Sequence, residues 1–136
     1  MTKGLLSLPL MLAALFLARS ADDASPVGKT QLDGTWELVS GQPLPKGARD
    51  IKIISDGHFM FAAYEIESGK PFYSAGGTCV LNGSSYTEHM DFASEPIAAL
   101  VGKDQSFTVK VEGDTFTQTG TLSNGKPLAE VWKRMK

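Results

Sequence analysis

The sequence predicts an all-β protein, an up-and-down antiparallel β-barrel of about eight to ten strands. From Gly34 onward, apolar and polar residues alternate with a period of two in short segments. Dipeptides of Gly, Asn and Asp separate these segments, and no segment has the length and period of a long helix. Antiparallel strands joined in sequence order close most simply into a barrel, because closure removes exposed sheet edges. An open two-sheet sandwich is the alternative.

The alternating pattern divides into eight predicted strands, each ending where turn residues interrupt it. They cover residues 35–40, 50–54, 58–66, 73–81, 86–92, 106–112, 115–122 and 128–135. Asp56-Gly57, Asn82-Gly83 and Asn124-Gly125 predict tight hairpin turns, because Gly and Asn tolerate the positive φ angles that such turns need. The apolar interval 94–102 begins with a capping Ser and ends at Gly, which predicts one short helical turn or an ordered loop.

The N-terminal residues have the features of a secretory signal peptide. Lys3 precedes a mostly apolar run over residues 5–17, and small residues surround a cleavage point after Ser20. The run is shorter than the roughly 20 apolar residues that span a bilayer, although a transmembrane anchor is the competing interpretation. Residues 21–32 lack periodicity and are predicted to be a flexible leader. Residues 33–136 then form one secreted or periplasmic barrel domain.

The charge of the chain argues against several classes of partner, and its cysteine content excludes an internal disulfide. Removing residues 1–20 takes away two of the 13 Lys and Arg residues and none of the 15 Asp and Glu residues, so the formal net charge changes from −2 to −4. A mildly acidic, mixed surface argues against nucleic acid and anionic lipid as partners, and no stable membrane anchor is expected after cleavage. The one cysteine, Cys79, cannot form an internal disulfide and is predicted to be a buried, inert thiol.

Alternation along each strand predicts which side chains face the barrel interior, when the more apolar face is taken as the inner one. Trp36 and Leu38 share one face of the first strand. For residues 86–92 the face that carries Tyr86 is preferred over the face that carries His89, because it holds the larger apolar groups. The remaining predicted inward residues are Phe59, Phe61, Ala63, Glu88, Met90, Phe107, Val109, Val111, Phe116, Gln118, Gly120, Glu130, Trp132 and Arg134.

This assignment places carboxyl groups in an otherwise apolar lining. An enclosed carboxylate without a partner costs on the order of several kcal/mol, or its pKa rises. The structural interpretation is that Glu130 pairs with Arg134 or a backbone amide and that Glu88 bonds to a Tyr or to water. The functional interpretation is that Glu88 or Glu130, with Tyr86 and Gln118, orients the polar end of a ligand. Catalysis by a carboxylate of raised pKa is a third interpretation.

Two segments near opposite ends of the predicted domain sequence resemble a known superfamily. Gly34-Thr35-Trp36 and the Arg-containing segment 130–134 resemble the calycins, which comprise lipocalins and fatty-acid-binding proteins. Together with segments 57–59, 76–78 and 86–88, they are similar to the lipocalin-like domains of small bacterial secreted proteins.

The resemblance implies a barrel with a central cavity for a small apolar or amphipathic ligand. It also implies that Arg134 packs across Trp36 to seal one end. Where the last strand of fatty-acid-binding proteins has an Arg-x-Tyr that holds a carboxylate, this chain has Glu130-x-Trp132. A neutral or cationic head group therefore fits better than an anionic fatty acid.

We therefore expect a binding protein and not an enzyme, with no cofactor. A metal site is not expected either, because His58 and His89 lie on different strands and are predicted to face solvent. The alternative is a structural or interaction module filled by its own aromatic residues, with a cavity below the roughly 300 Å³ typical of ligand pockets. The predicted ligand contacts are Phe59, Phe61, Tyr86, Glu88, Phe107, Phe116, Gln118, Glu130 and Trp132, with Trp36 and Arg134 as the barrel seal.

Overall fold

The protein folds as a closed antiparallel β-barrel in a computed structural model that describes residues 29–136. Eight strands follow one another in sequence order, and the first is hydrogen-bonded to the last. The predicted all-β class, up-and-down order and closure are confirmed. The predicted signal peptide, residues 1–20, and residues 21–28 of the predicted leader lie outside the described residues. In the described part of the chain, no helix has the length and apolarity needed to cross a membrane.

The strand bounds differ from the predicted ones by one or two residues at most ends. A short 3₁₀ helix, Ala98–Leu100, lies between the fifth and sixth strands, within the interval predicted to form a helical turn or an ordered loop. The strands are β1 Gly34–Ser40, β2 Ala48–Ser55, β3 His58–Glu65, β4 Pro71–Asn82, β5 Ser85–Ala93, β6 Asp104–Glu112, β7 Thr115–Thr121 and β8 Pro127–Arg134.

The up-and-down order separates the connections into two groups, one at each end of the barrel. The connections β1–β2, β3–β4, β5–β6 and β7–β8 share one end, which we call the open end. The tight turns β2–β3, β4–β5 and β6–β7 share the other end, together with the start of β1 and the end of β8. We call this the sealed end, because side chains from both ends of the chain close it.

At the sealed end, an indole and a guanidinium are in direct contact. Trp36 is fully buried, and the guanidinium carbon of Arg134 lies 4.1 Å from the centre of its ring. Arg134 Nη1 donates to the carbonyl oxygen of Asp33 at 2.9 Å, and Trp36 Nε1 donates to that of Leu32 at 2.8 Å. The contact that the resemblance implied between Trp36 and Arg134 is therefore present.

Leu32 marks a difference from the predicted boundary between leader and barrel. Its side chain is fully buried, although residues 21–32 are predicted to be a flexible leader. A turn holds this residue in place, since Thr30 donates to Asp33 Oδ1 through its amide at 3.0 Å and through its hydroxyl at 2.8 Å. A single apolar residue before a strand has no periodicity, so the sequence pattern does not detect it.

Aromatic rings fill the interior on the sealed side. Phe116 packs edge-on against Trp36, with centroids 5.2 Å apart, and stacks on Trp132 at 6.4 Å. Phe59 and Tyr86 are each 1% exposed. This half of the barrel is therefore a packed core, and the interior cavity lies towards the open end.

Candidate functional site: the cavity at the open end

A cavity of about 260 Å³ lies between the aromatic core and the open end. Residues of the β1–β2, β5–β6 and β7–β8 connections contribute to its rim, including Pro43, Pro96 and Asn124. Its wall has an apolar part and a polar part. The apolar part comprises Phe61, Met90, Ile97, Leu100, Phe107, Leu122, Leu128 and Trp132, and the polar part comprises Asp50, Lys52, Tyr73, Glu88, Gln118 and Glu130.

Most of the predicted ligand contacts border this cavity. Six of the nine line it, namely Phe61, Glu88, Phe107, Gln118, Glu130 and Trp132. The other three, Phe59, Tyr86 and Phe116, point inward as predicted but lie in the filled core and not in the cavity wall. The preferred inward face of β5 is the buried one, since Tyr86, Glu88 and Met90 are each at most 3% exposed.

The prediction of an otherwise apolar lining is wrong, because β2 contributes two charged side chains to the interior. Asp50 is 3% exposed and Lys52 2% exposed, whereas Ile53 on the opposite face is 50% exposed. The apolar-face rule fails on this strand. A usable signal exists in the Asp56-Gly57 hairpin: its register pairs Ile54 with Phe59 and Lys52 with Phe61. Since directly paired residues share a face, inward phenylalanines require an inward Lys52.

Lys52 and Glu88 form a buried ion pair across the barrel. Lys52 Nζ lies 2.6 Å from Glu88 Oε1, and both side chains are 2% exposed. The ammonium also donates to Gln118 Oε1 at 3.3 Å. Aromatic rings surround it at 5.3 Å for Trp132, 5.6 Å for Phe61, 5.8 Å for Phe59 and 5.9 Å for Tyr86, measured to the ring centroids. Glu88 thus has as its partner a Lys that the sequence pattern did not place inside.

Only one of the two carboxylate oxygens of Asp50 has a hydrogen-bond partner among the described residues. Its Oδ2 accepts a hydrogen bond from the Tyr73 hydroxyl at 2.8 Å, while its Oδ1 is buried and has no partner among the described residues. Burial raises the pKa of Asp50, and the Tyr73 hydrogen bond and the Lys52 charge only partly oppose this effect. Burial also raises the pKa of Tyr73, and the neighbouring Asp50 raises it further, so the phenol keeps its proton and remains a donor.

Glu130 is held by the indole next to it on the same face of β8. Trp132 Nε1 donates to Glu130 Oε2 at 3.1 Å. The structural interpretation that paired Glu130 with Arg134 is wrong, because Arg134 lies four residues further along β8, at the sealed end, where its guanidinium binds the carbonyls of Asp33 and Gln31. Burial raises the pKa of Glu130; Lys52 and Trp132 oppose the rise, and Glu88 and Asp50 add to it.

The interior therefore holds an unequal number of acidic and basic groups. Among residues 29–136, the buried charged side chains are three acids, Asp50, Glu88 and Glu130, and one base, Lys52. Lys52 is already paired with Glu88, whose Oε1 lies 2.6 Å from Lys52 Nζ. In the part of the chain that the structure describes, the hydrogen-bond donors to Asp50 and Glu130 are neutral, and Lys126, at the rim, is exposed to solvent. The polar wall can accept hydrogen bonds and positive charge, and it is poorly suited to a second anion.

The other residues singled out in the sequence lie away from the cavity wall. Cys79 is 8% exposed, and burial raises the pKa of its thiol, which keeps it protonated and unreactive. His58 and His89 are exposed, and His89 Nδ1 lies 2.6 Å from Asp104 Oδ1 on the outer surface. Within residues 29–136, no three His, Cys, Asp or Glu side chains converge as metal ligands would.

Comparison with known proteins adds no functional assignment. No known family model matches the chain, and no curated protein matches its sequence. The eight-stranded antiparallel barrel is consistent with a calycin-like fold.

Proposed function

We propose that the protein is a lipocalin-like, exported binding protein that holds one small amphipathic molecule in the cavity at the open end. The observation that carries this proposal is the two-sided wall of a 260 Å³ cavity, apolar on one side and hydrogen-bonding on the other. The apolar side contributes affinity through burial at about 25 cal/mol per Å² of ligand surface. The polar side orients the ligand. In this proposal the protein has no catalytic role, no cofactor and no nucleic-acid partner.

The cavity volume limits the size of the ligand. An engineered apolar cavity of about 150 Å³ in another protein holds benzene. A space of about 260 Å³ therefore suits one ring with a short polar arm, or a short alkyl chain. A long-chain fatty acid would not fit without displacing the aromatic core.

The same volume also favours a second candidate function. It lies just below the roughly 300 Å³ at which ligand pockets begin. Trp36, Phe59, Phe116 and Tyr86 already fill the sealed half. A structural or interaction module with a largely self-filled barrel remains the alternative, and it predicts that the cavity binds nothing saturably.

Direct binding measurements separate the two candidates. Native mass spectrometry of freshly purified protein should detect a co-purified small molecule, or isothermal titration calorimetry should detect saturable binding of a neutral probe such as phenethyl alcohol. Replacing Leu128, which lines the cavity, with the larger Trp should abolish either signal. Val39→Trp is the matched control, since Val39 is 57% exposed on the outside of β1.

Binding that survives in Leu128→Trp would place the ligand outside the cavity. If wild-type protein shows neither a co-purified species nor saturable probe binding, the binding function is wrong and the self-filled module is favoured.

A further inference from the structure

The buried charges of the barrel interior identify the chemical class of the ligand's head group. Lys52 is the one buried base among the described residues, and it is already paired with Glu88 at 2.6 Å and bonded to Gln118 at 3.3 Å. An anionic ligand would have to displace Glu88 from Lys52. It would also lie in a wall that contains two further buried carboxyl groups.

Asp50 and Glu130 lack the positive partner that Glu88 has. Both are at most 7% exposed and both line the cavity. Asp50 Oδ1 is buried and has no hydrogen-bond partner within residues 29–136, which is costly for a carboxyl group unless a donor arrives. The groups that do bond to the two acids, the Tyr73 hydroxyl and the Trp132 indole, are neutral.

The aromatic part of the wall is also suited to a cation. Phe61, Tyr73, Phe107 and Trp132 all line the cavity. Ring faces attract positive charge, and the rings around the Lys52 ammonium, at 5.3 to 5.9 Å, show that a cation is accommodated among them in this interior. An organic ammonium fits better than a hydrated metal ion, because the remaining wall is apolar and would bury the hydrocarbon part of an amine.

We infer that the ligand is a small organic amine whose ammonium group is held by Asp50 and Glu130, with its apolar body against Phe107 and Trp132. The inference rests on the proposed binding function and names the ligand class for the same cavity. The ammonium N–H groups donate to Asp50 Oδ1 and to Glu130. They provide the positive charge that these two acids lack.

Three probes of nearly equal size test this inference by calorimetry at neutral pH in an amine-free buffer. Phenethylamine is positively charged, phenethyl alcohol is neutral and phenylpropionate is negatively charged. A charge-assisted hydrogen bond predicts that the amine binds about 10- to 100-fold more tightly than the alcohol. The carboxylate should bind more weakly than the alcohol.

Two variants, each replacing a carboxyl group with an amide of the same shape, test whether the ligand's head group binds at Asp50 and Glu130. Asp50→Asn and Glu130→Gln should each weaken phenethylamine binding about tenfold or more and weaken phenethyl alcohol binding much less, because the alcohol carries no charge. Both variants keep an oxygen that accepts from Tyr73 or Trp132, so folding is expected to persist, as circular dichroism can verify. Glu112→Gln removes the same charge from an exposed side chain on β6 and should change neither affinity.

The outcomes distinguish this inference from the proposed function. Equal affinity for all three probes, or preference for phenylpropionate, would overturn the amine assignment while leaving a binding protein. Amine preference that persists in both Asp50→Asn and Glu130→Gln would also overturn it. If none of the three probes binds, the amine assignment is wrong, and the proposed function is wrong as well when native mass spectrometry also detects no co-purified species.

Discussion

At the scale of single residues, Lys52 and Glu88 form an ion pair inside the barrel. The pair is 2% exposed at both ends, and the two residues are 36 positions apart in the chain. Desolvation makes a buried pair a weak source of net stability, but removal of one partner leaves an uncompensated buried charge. Replacing one partner alone is therefore expected to lower the free energy of unfolding much more than replacing both.

Replacing Lys52 with Met tests this coupling. The single variant should lose about 3–5 kcal/mol of unfolding free energy, because Glu88 is left unpaired. The double variant Lys52→Met/Glu88→Gln should recover most of that loss, as measured by urea denaturation. Lys110→Met, which breaks the exposed pair with Glu112, is the control and should have little effect. A double variant no more stable than Lys52→Met would show that the two charges are not coupled.

The buried acids Asp50 and Glu130 predict that the stability of the barrel decreases as the pH rises. Their folded pKa values lie above the ordinary values of 3.8 and 4.5 because both groups are buried. Below those ordinary values the acids are protonated in both states and contribute nothing. As the pH rises above 4.5, the unfolded chain loses these protons before the folded barrel does, so the two groups make the barrel progressively less stable.

The double variant Asp50→Asn/Glu130→Gln removes both titrations. Its melting temperature should exceed that of the wild type by more at pH 8 than at pH 5, as scanning calorimetry can measure. The exposed-site variant Glu112→Gln should show no such trend. A gap between double variant and wild type that narrows with rising pH would contradict the raised pKa values.

At the scale of elements, the junction of β4 and β5 explains why two glycines occur in succession. The register shifts between Gly76 and Gly77, which forms a bulge where the sheet bends around the barrel. A Cβ built on Gly77 would lie 1.9 Å from the carbonyl oxygen of His89. The strand can approach its neighbour this closely only without a side chain.

Gly77→Ala should therefore destabilise the barrel, at the upper end of the about 1–3 kcal/mol typical of overpacking, because the clash is with backbone. Gly83→Ala is the matched control in the β4–β5 turn. Nothing lies within 4 Å of its added Cβ, and its φ of +62° carries only the smaller penalty of a left-handed residue. Urea denaturation curves compare the two, and equal losses would show that the close approach at Gly77 can relax.

The polarity of the inner face of each strand explains which parts of the site the sequence pattern could predict. On β3, β6 and β7 the inner face is the more apolar one, so the predicted inward positions of Phe61, Phe107 and Gln118 agree with the structure, in which all three line the cavity. On β2 the inner face carries Asp50 and Lys52, and apolarity points to the wrong face. The hairpin register connects the two strands and settles the assignment, because it depends on hydrogen bonding and not on polarity.

At the scale of the whole molecule, closure depends on contacts between the two ends of the chain. The β1–β8 pairing aligns Trp36 with Arg134, whose guanidinium then covers the indole at 4.1 Å. This contact joins residues that are 98 positions apart and leaves the sealed end without an opening for solvent to reach Trp36, which is 0% exposed.

Trp36→Ala should cost about 3–5 kcal/mol of stability because it leaves a cavity beneath Arg134. Val39→Ala on the outer face of the same strand is the control and should change stability by less than about 0.5 kcal/mol. Thermal denaturation followed by circular dichroism measures both variants. An unchanged melting temperature for Trp36→Ala would contradict its role as the seal.

The sequence by itself determined the strands, their turns, the antiparallel order and most of the inward aromatics, since these follow from local alternation and turn chemistry. Only the tertiary structure decided that the sealed half is filled and that a 260 Å³ cavity remains at the open end. It also decided that Lys52 pairs with Glu88 while Asp50 and Glu130 remain without a cation. These features depend on the curvature and tilt of the closed sheet, which bring distant side chains to one level and leave no local pattern.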